Sequence, residues 1–195
     1  MRRILNGWVI IGCLCFLCAC QTQQERQDDM EFRVDASLLE TAVWEDSLQI
    51  AYSPPKGWGL LPLDSAAVIR LNQLSGNTLK NKVNAVYADS AKQCFFVINS
   101  LLQPNGILLP PDSASLSKQT GIQWTIKEDR FRYAGFEVQQ FFLLSEEWIS
   151  LKLQFAPEIG QPFQLDFLMP KSMYPTQGRI VESVIGSVRP LKKKQ

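Results

Sequence analysis

Reactive side chains are scarce in this sequence, and their types narrow the chemistry before any fold is considered. Histidine is absent, which excludes a Ser-His-Asp or Cys-His catalytic set, a His-ligated metal and a histidine pH switch. Of five cysteines, Cys13, Cys15, Cys18 and Cys20 crowd the N-terminus and Cys94 stands alone. Two adjacent acidic pairs, Glu128-Asp129 and Glu146-Glu147, are what a carboxylate hydrolase would draw on. Neighbours in a strand point to opposite faces and neighbours in a turn point to solvent, so neither pair sets an acid and a base across one bond. Zinc-ligand spacing, a calcium loop, a P-loop, a nucleophile elbow and a dinucleotide fingerprint are all missing from the pattern. The sequence assigns no catalytic residue, no metal ligand and no cofactor.

The N-terminal cysteines lie in MRRILNGWVIIGCLCFLCAC, where Arg2 and Arg3 precede an apolar run from Gly7 to Leu17. That run is shorter than the roughly 20 residues a membrane-spanning helix needs, and the order of charge and grease is that of a secretory signal. It closes on Leu17-Cys18-Ala19-Cys20, which resembles the bacterial lipobox. The resemblance implies a diacylglycerol thioether on Cys20, cleavage that removes residues 1–19, acylation of the new amine, and a membrane held through acyl chains. With about 0.8 kcal/mol per buried methylene, two or three chains anchor durably.

Cys94 would then be the lone thiol, no internal disulfide can form, and in Gln93-Cys94-Phe95-Phe96-Val97-Ile98 it reads as a small buried strand residue. The 20 basic and 19 acidic residues give a net charge of +1, which becomes −1 once Arg2 and Arg3 leave with the signal. Nucleic acid is not an expected partner.

The elements that carry these groups follow from composition and periodicity. Residues 20–29 join Cys20 to QTQQERQDD, a polar, aperiodic tether that reaches about 30 Å when extended. No Asp follows Cys20, so by the lipoprotein resemblance the outer membrane is favoured within the cell envelope; Glu25, Asp28 and Asp29 read as solvated tether charge, with an export signal or weak cation site as alternatives. Residues 30–191 form one domain, and 192–195 are a basic tail whose Lys192, Lys193 and Lys194 either fray in solvent or touch anionic headgroups.

Within the domain, strands are expected at Glu31 to Val34, Leu48 to Tyr52, Val83 to Ala88 and Cys94 to Leu102. Asp64 caps a helix through Leu74 with Ala67, Leu71 and Leu74 on one face and Gly76 beyond it; Gln103 to Gly121 is a long loop with a short helix capped by Asp112. Period-2 alternation then sets Ile122, Trp124 and Ile126; Phe136, Val138, Phe142 and Leu144; Ile149, Leu151, Leu153 and Phe155 against Ser150, Lys152 and Gln154; and Phe163, Leu165 and Phe167, in an antiparallel meander with one face buried. Tyr174-Pro175 opens a last helix that buries Ile180, Val181, Val184, Ile185 and Val188 and turns Arg179, Glu182, Ser183 and Ser187 away.

The early strand entering Pro54-Pro55-Lys56-Gly57-Trp58, the antiparallel sheet and the terminal Tyr-Pro...Arg-Ile-Val-Glu-Ser-Val-Ile-Gly-Ser-Val helix resemble the PsbP/Mog1-like group over most of residues 48 to 190. The resemblance implies an α+β fold, a central antiparallel sheet flanked by helices in an α/β/α sandwich, and a binding or assembly role without a shared catalytic site.

Three functions compete. The first is a lipid-anchored, non-catalytic binding or assembly module of the bacterial cell envelope, whose partner is another envelope protein docking on Phe141, Leu143 and Trp148, unless a helix covers them. The second is a carrier of a small apolar ligand in a pocket between sheet and helix, lined by Trp58, Trp124, Phe131 and Tyr133. The third is a hydrolase of unrecognised type.

Overall fold

The computed structural model describes residues 29–66, 68, 69, 71, 81–102 and 113–191. Ten strands are formed among them: β1 Val43–Glu45, β2 Ile50–Tyr52, β3 Gly59–Leu60, β4 Asn81–Asp89, β5 Cys94–Leu101, β6 Thr125–Tyr133, β7 Phe136–Leu144, β8 Trp148–Pro157, β9 Phe163–Pro170 and β10 Arg189–Pro190. Helix α1 spans Ser113–Thr120 between β5 and β6, and α2 spans Tyr174–Ser187 between β9 and β10. Seven strands form one antiparallel sheet in the order β3-β4-β5-β9-β8-β7-β6, and three form a second, β1-β2-β10. The expected α+β sandwich flanked by helices is thereby overturned: among the described residues the fold is mostly β, with one long helix. Its cause is local. The three-residue strands β1 and β2 and the two-residue β10 are too short to show alternation, yet together they make a second sheet beside α2.

Strong alternation does give the long strands. A two-residue connection closes β6 on β7: Ala134 and Gly135 both take positive φ there, the geometry of a primed hairpin turn. On the near face of the large sheet, Phe96 stacks on Phe167 at 4.8 Å and Phe155 on Phe163 at 4.7 Å, while Phe136 meets Phe155 and Phe163 edge-on. Val181, Val184 and Ile185 of α2, together with Ile50 and Tyr52 of β2, complete this core.

The far face is also buried, contrary to a meander with one covered side. Val86, Val97, Phe141, Leu143 and Leu168 pack there with Trp124, Leu116 of α1, and Val68 and Leu71. Ser150, Lys152 and Gln154 lie on that face and are at most 6% exposed.

Two boundaries and one helix face differ from expectation. Residues 31–34 form no strand; they run along α2, with Phe32 and Val34 over Gly186. The helical backbone at Ala66, Val68, Ile69 and Leu71 starts at Ser65, whose carbonyl takes the Val68 and Ile69 N–H and whose Oγ lies 3.4 Å from the Val68 nitrogen, instead of at Asp64. The helix α2 starts at Tyr174 with Pro175 in its first turn, as read. Its supposed solvent face, however, holds the N-terminal strap and the end of β2: Ser183 is fully buried and accepts the Asp35 N–H at 3.0 Å, Glu182 accepts that of Arg33 at 3.0 Å, and Ser187 accepts that of Ser53, just past β2, at 2.9 Å. Ala67, Leu74, Gly76 and Asp112 lie outside the described residues.

Candidate functional site

Strand register assembles a feature that no single segment announces. Asn99, Gln164, Gln154, Gln139 and Arg130 stand directly opposite one another on β5, β9, β8, β7 and β6. The adjoining row on the same face reads Val97, Asp166, Lys152, Phe141 and Glu128. Partners across a sheet share a face, so these ten side chains form one polar band that crosses five strands and is interrupted only by Val97 and Phe141.

At its centre Lys152 Nζ lies 3.3 Å from Asp166 Oδ1, with the two side chains 5% and 2% exposed. Asp166 also accepts Gln164 Nε2 at 2.8 Å and Asn99 Nδ2 at 3.1 Å, and Gln154 Nε2 donates to Gln164 Oε1 at 2.9 Å. Toward the sheet edge Gln139 Nε2 donates to Glu128 Oε1 at 2.6 Å, which also takes the Arg130 guanidinium. Asn99 Oδ1, Ser150 Oγ and Lys152 Nζ make no hydrogen bond. The pair is electrically neutral and its carboxylate is engaged on both oxygens, which suits it to fix the register of β5, β9 and β8.

A second feature is an open cleft of roughly 370 Å³ at the C-terminal end of α2. Val34, Leu39, Tyr133, Ala134 and Val188 give it an apolar floor, and Glu40 and Arg189 stand at its sides. Tyr133 donates its hydroxyl to the Gly186 carbonyl at 2.6 Å, and burial raises its pKa. Next to it, the Arg132 carbonyl accepts the Met30 N–H at 2.7 Å, so the N-terminal segment enters the domain beside this cleft.

The residues singled out from sequence are distributed differently. Phe141 and Leu143 are fully buried, Trp124 is 8% exposed with them on the far face, and Trp148 is half-buried against the same cluster. Trp58 and Phe131 belong to the near core, so the four pocket residues do not meet; of Trp58, Trp124, Phe131 and Tyr133, the last alone lines the cleft.

The acidic pairs and the thiol are equally uneventful. Glu128 and Asp129 are exposed on opposite faces, and Glu146 and Glu147 are exposed in a turn. Cys94 is fully buried, its Sγ 3.4 Å from the Lys92 carbonyl, and burial pushes the thiol up to about 11. Leu17, Cys18, Ala19 and Cys20 lie outside the described residues. Among the described residues, no group of three or more Cys, Asp or Glu is placed to hold a metal.

The polar band escaped sequence reading because Ser150, Lys152, Gln154, Gln164 and Asp166 alternate with apolar residues just as a solvent-facing side does. The recoverable signal was pairing: once β8 and β9 are folded about Glu158–Gly160, Lys152 and Asp166 fall opposite each other.

No family model matches this chain, and no curated protein sequence does. Solved structures are similar. The solution structure of the cyanobacterial PsbP protein CyanoP from Synechocystis sp. PCC 6803 matches with a TM-score of 0.53 at 12% identity, covering 80% of this chain and 95% of that one. The crystal structure of LpqN, involved in cell envelope biogenesis of Mycobacterium tuberculosis, matches with a TM-score of 0.41 at 15% identity, covering 77% and 90%. The first likeness shows a PsbP-like fold and nothing of function; the second is too distant to weigh.

Proposed function

We propose that the chain is a lipid-anchored, non-catalytic binding or assembly module of the bacterial cell envelope, with another envelope protein as its partner. The observation that carries this reading is the order of basic residues, short apolar run and Leu17-Cys18-Ala19-Cys20 ahead of a polar tether. The buried pair of Lys152 and Asp166 is consistent with it. Its charges neutralise each other and its carboxylate is already bonded to amides, an arrangement suited to holding a sheet together.

Two experiments test the two halves. Labelling cells with palmitate should tag the wild-type chain and leave Cys20→Ser unlabelled; a labelled Cys20→Ser chain overturns the anchor. Crosslinking in intact cells should recover one reproducible envelope protein bound to the domain, and recovery of none overturns the binding role. Carriage of a small apolar ligand is the second reading, favoured by the apolar floor of the cleft beside Tyr133.

A further inference from the structure

The cleft at the C-terminal end of α2 holds two opposite charges that do not meet. Glu40 and Arg189 both line it, and among the described residues no ion pair joins them. Backbone bonds set them apart. The Glu40 N–H goes to the Pro54 carbonyl at 2.9 Å and the Ser53 N–H to Ser187 Oγ at 2.9 Å, so the chain just past β2 lies between the strap that carries Glu40 and the segment that runs from α2 into Arg189.

The other polar groups of the lining are spent on the protein. Ser187 donates to the Val184 carbonyl at 2.7 Å while accepting the Ser53 N–H, and Tyr133 donates to the Gly186 carbonyl at 2.6 Å. Glu40 gives one carboxylate oxygen to the Gly57 N–H at 3.0 Å and meets no cation among the described residues. The Arg189 side chain is exposed and makes no hydrogen bond or ion pair among them. What the cleft offers a ligand is therefore one anion, one cation and the apolar surface of Val34, Leu39 and Tyr133.

We infer that the cleft binds a single-chain zwitterionic amphiphile of the lysophosphatidylethanolamine type, with its phosphate on Arg189, its ammonium on Glu40 and its acyl chain over Val34, Leu39 and Tyr133. A guanidinium presents a planar fork that matches phosphate, and a carboxylate accepts from an ammonium. A ligand carrying one charge would cover the other group of the cleft without answering it, whereas a zwitterion answers both. The tail follows from exposure. Val34 is 46% exposed within the cleft, and Met30, 41% exposed, stands further back along the strap where its N–H meets the Arg132 carbonyl beside Tyr133. An acyl chain leaving the open side covers apolar surface that a headgroup alone would not reach. The inference deepens the reading of the cleft as a carrier site and rests on it; lipid on Cys20 plays no part.

The test uses residues 21–195, which include every described residue, in calorimetry and amide NMR. The ligands are lauroyl lysophosphatidylethanolamine, its N-acetyl derivative and monolaurin, each below its micelle concentration, and glycerophosphoethanolamine, which has the headgroup and no chain. The lysolipid should bind tightest and shift the amides of Val34, Leu39, Ala134 and Arg189. Each exposed charge pair contributes about three- to fivefold, so the lysolipid should lead monolaurin by roughly tenfold, a lead that shrinks with salt. Glu40→Gln should weaken the lysolipid by one such factor and not weaken the N-acetyl form. Arg189→Gln should weaken both phosphate-bearing lauroyl ligands and leave monolaurin unchanged. Both variants should melt as the wild type does.

Equal affinity for the three lauroyl ligands, or variants that move all three alike, overturns the zwitterion and leaves an apolar carrier. Binding of none of them overturns the carrier reading as well. Glycerophosphoethanolamine bound as tightly as the lysolipid overturns the acyl chain, and amide shifts confined to residues outside the cleft overturn the site.

Discussion

Replacing Lys152 by Met should be the most damaging single change on the far face of the sheet. Met fills the volume of the aliphatic stem and removes the cation, leaving Asp166, 2% exposed, with two amide donors at 2.8 and 3.1 Å and no positive charge. Removing one partner of a buried pair costs about 3–5 kcal/mol, of the same order as the 5–15 kcal/mol that holds a domain together. Changing Asp166 to Asn as well removes the stranded charge and presents an amide donor toward Asn99, whose Oδ1 makes no hydrogen bond. The double variant should therefore lie within about 1.5 kcal/mol of the wild type, and a double-mutant cycle should return a coupling of at least about 2 kcal/mol. Urea unfolding followed by tryptophan fluorescence and circular dichroism gives all four corners, provided the slope with denaturant is unchanged. If Lys152→Met costs less than about 1 kcal/mol, or if the two changes simply add, the pair does not hold the register as argued.

Three further outcomes follow from single contacts. Val184 is fully buried, so Val184→Asp should prevent stable folding by placing an unpaired carboxylate in the core; near-wild-type circular dichroism and melting would contradict this. A Cβ on Gly186 would stand 2.6 Å from Val34 Cγ2 and 2.8 Å from Phe32 Cβ, so Gly186→Ala should lift the N-terminal strap at a cost of about 1–3 kcal/mol, read as faster proteolysis between Met30 and Asp35. The Cys94 thiol is raised from 9.0 to about 11, so its contribution to stability is intact below pH 9 and declines as pH climbs from 9 to 11, by about 1–2 kcal/mol; Cys94→Ala should flatten that decline in alkaline melts.

How far the sequence could be read depended on segment length. Strands β7 to β9 and helix α2 are each at least eight residues long, enough for period 2 or 3.6 to show, and their apolar core-facing residues were legible, whereas the alternation of Ile122, Trp124 and Ile126 lies at the start of β6 and misses most of it. Strands β1, β2, β3 and β10 have two or three residues, and nothing local distinguishes them from loop; they exist because β2 finds partners on both sides. Polarity misled in two places for one reason. Lys152 and Gln154 on the sheet, and Ser183 and Ser187 on α2, read as solvent-facing, yet each is held by a partner on another segment. Periodicity tells which residues share a face and is silent on what covers the polar one. The address proposed for residues 17–20 rests on a short linear pattern that requires no fold.

The account stands most directly on the N-terminus of the mature protein. Intact mass and N-terminal peptide analysis of the chain recovered from its own cell membranes should find Cys20 as the first residue, carrying diacylglycerol on its sulfur. An unmodified cysteine, or a chain that begins elsewhere and bears no lipid, would contradict it.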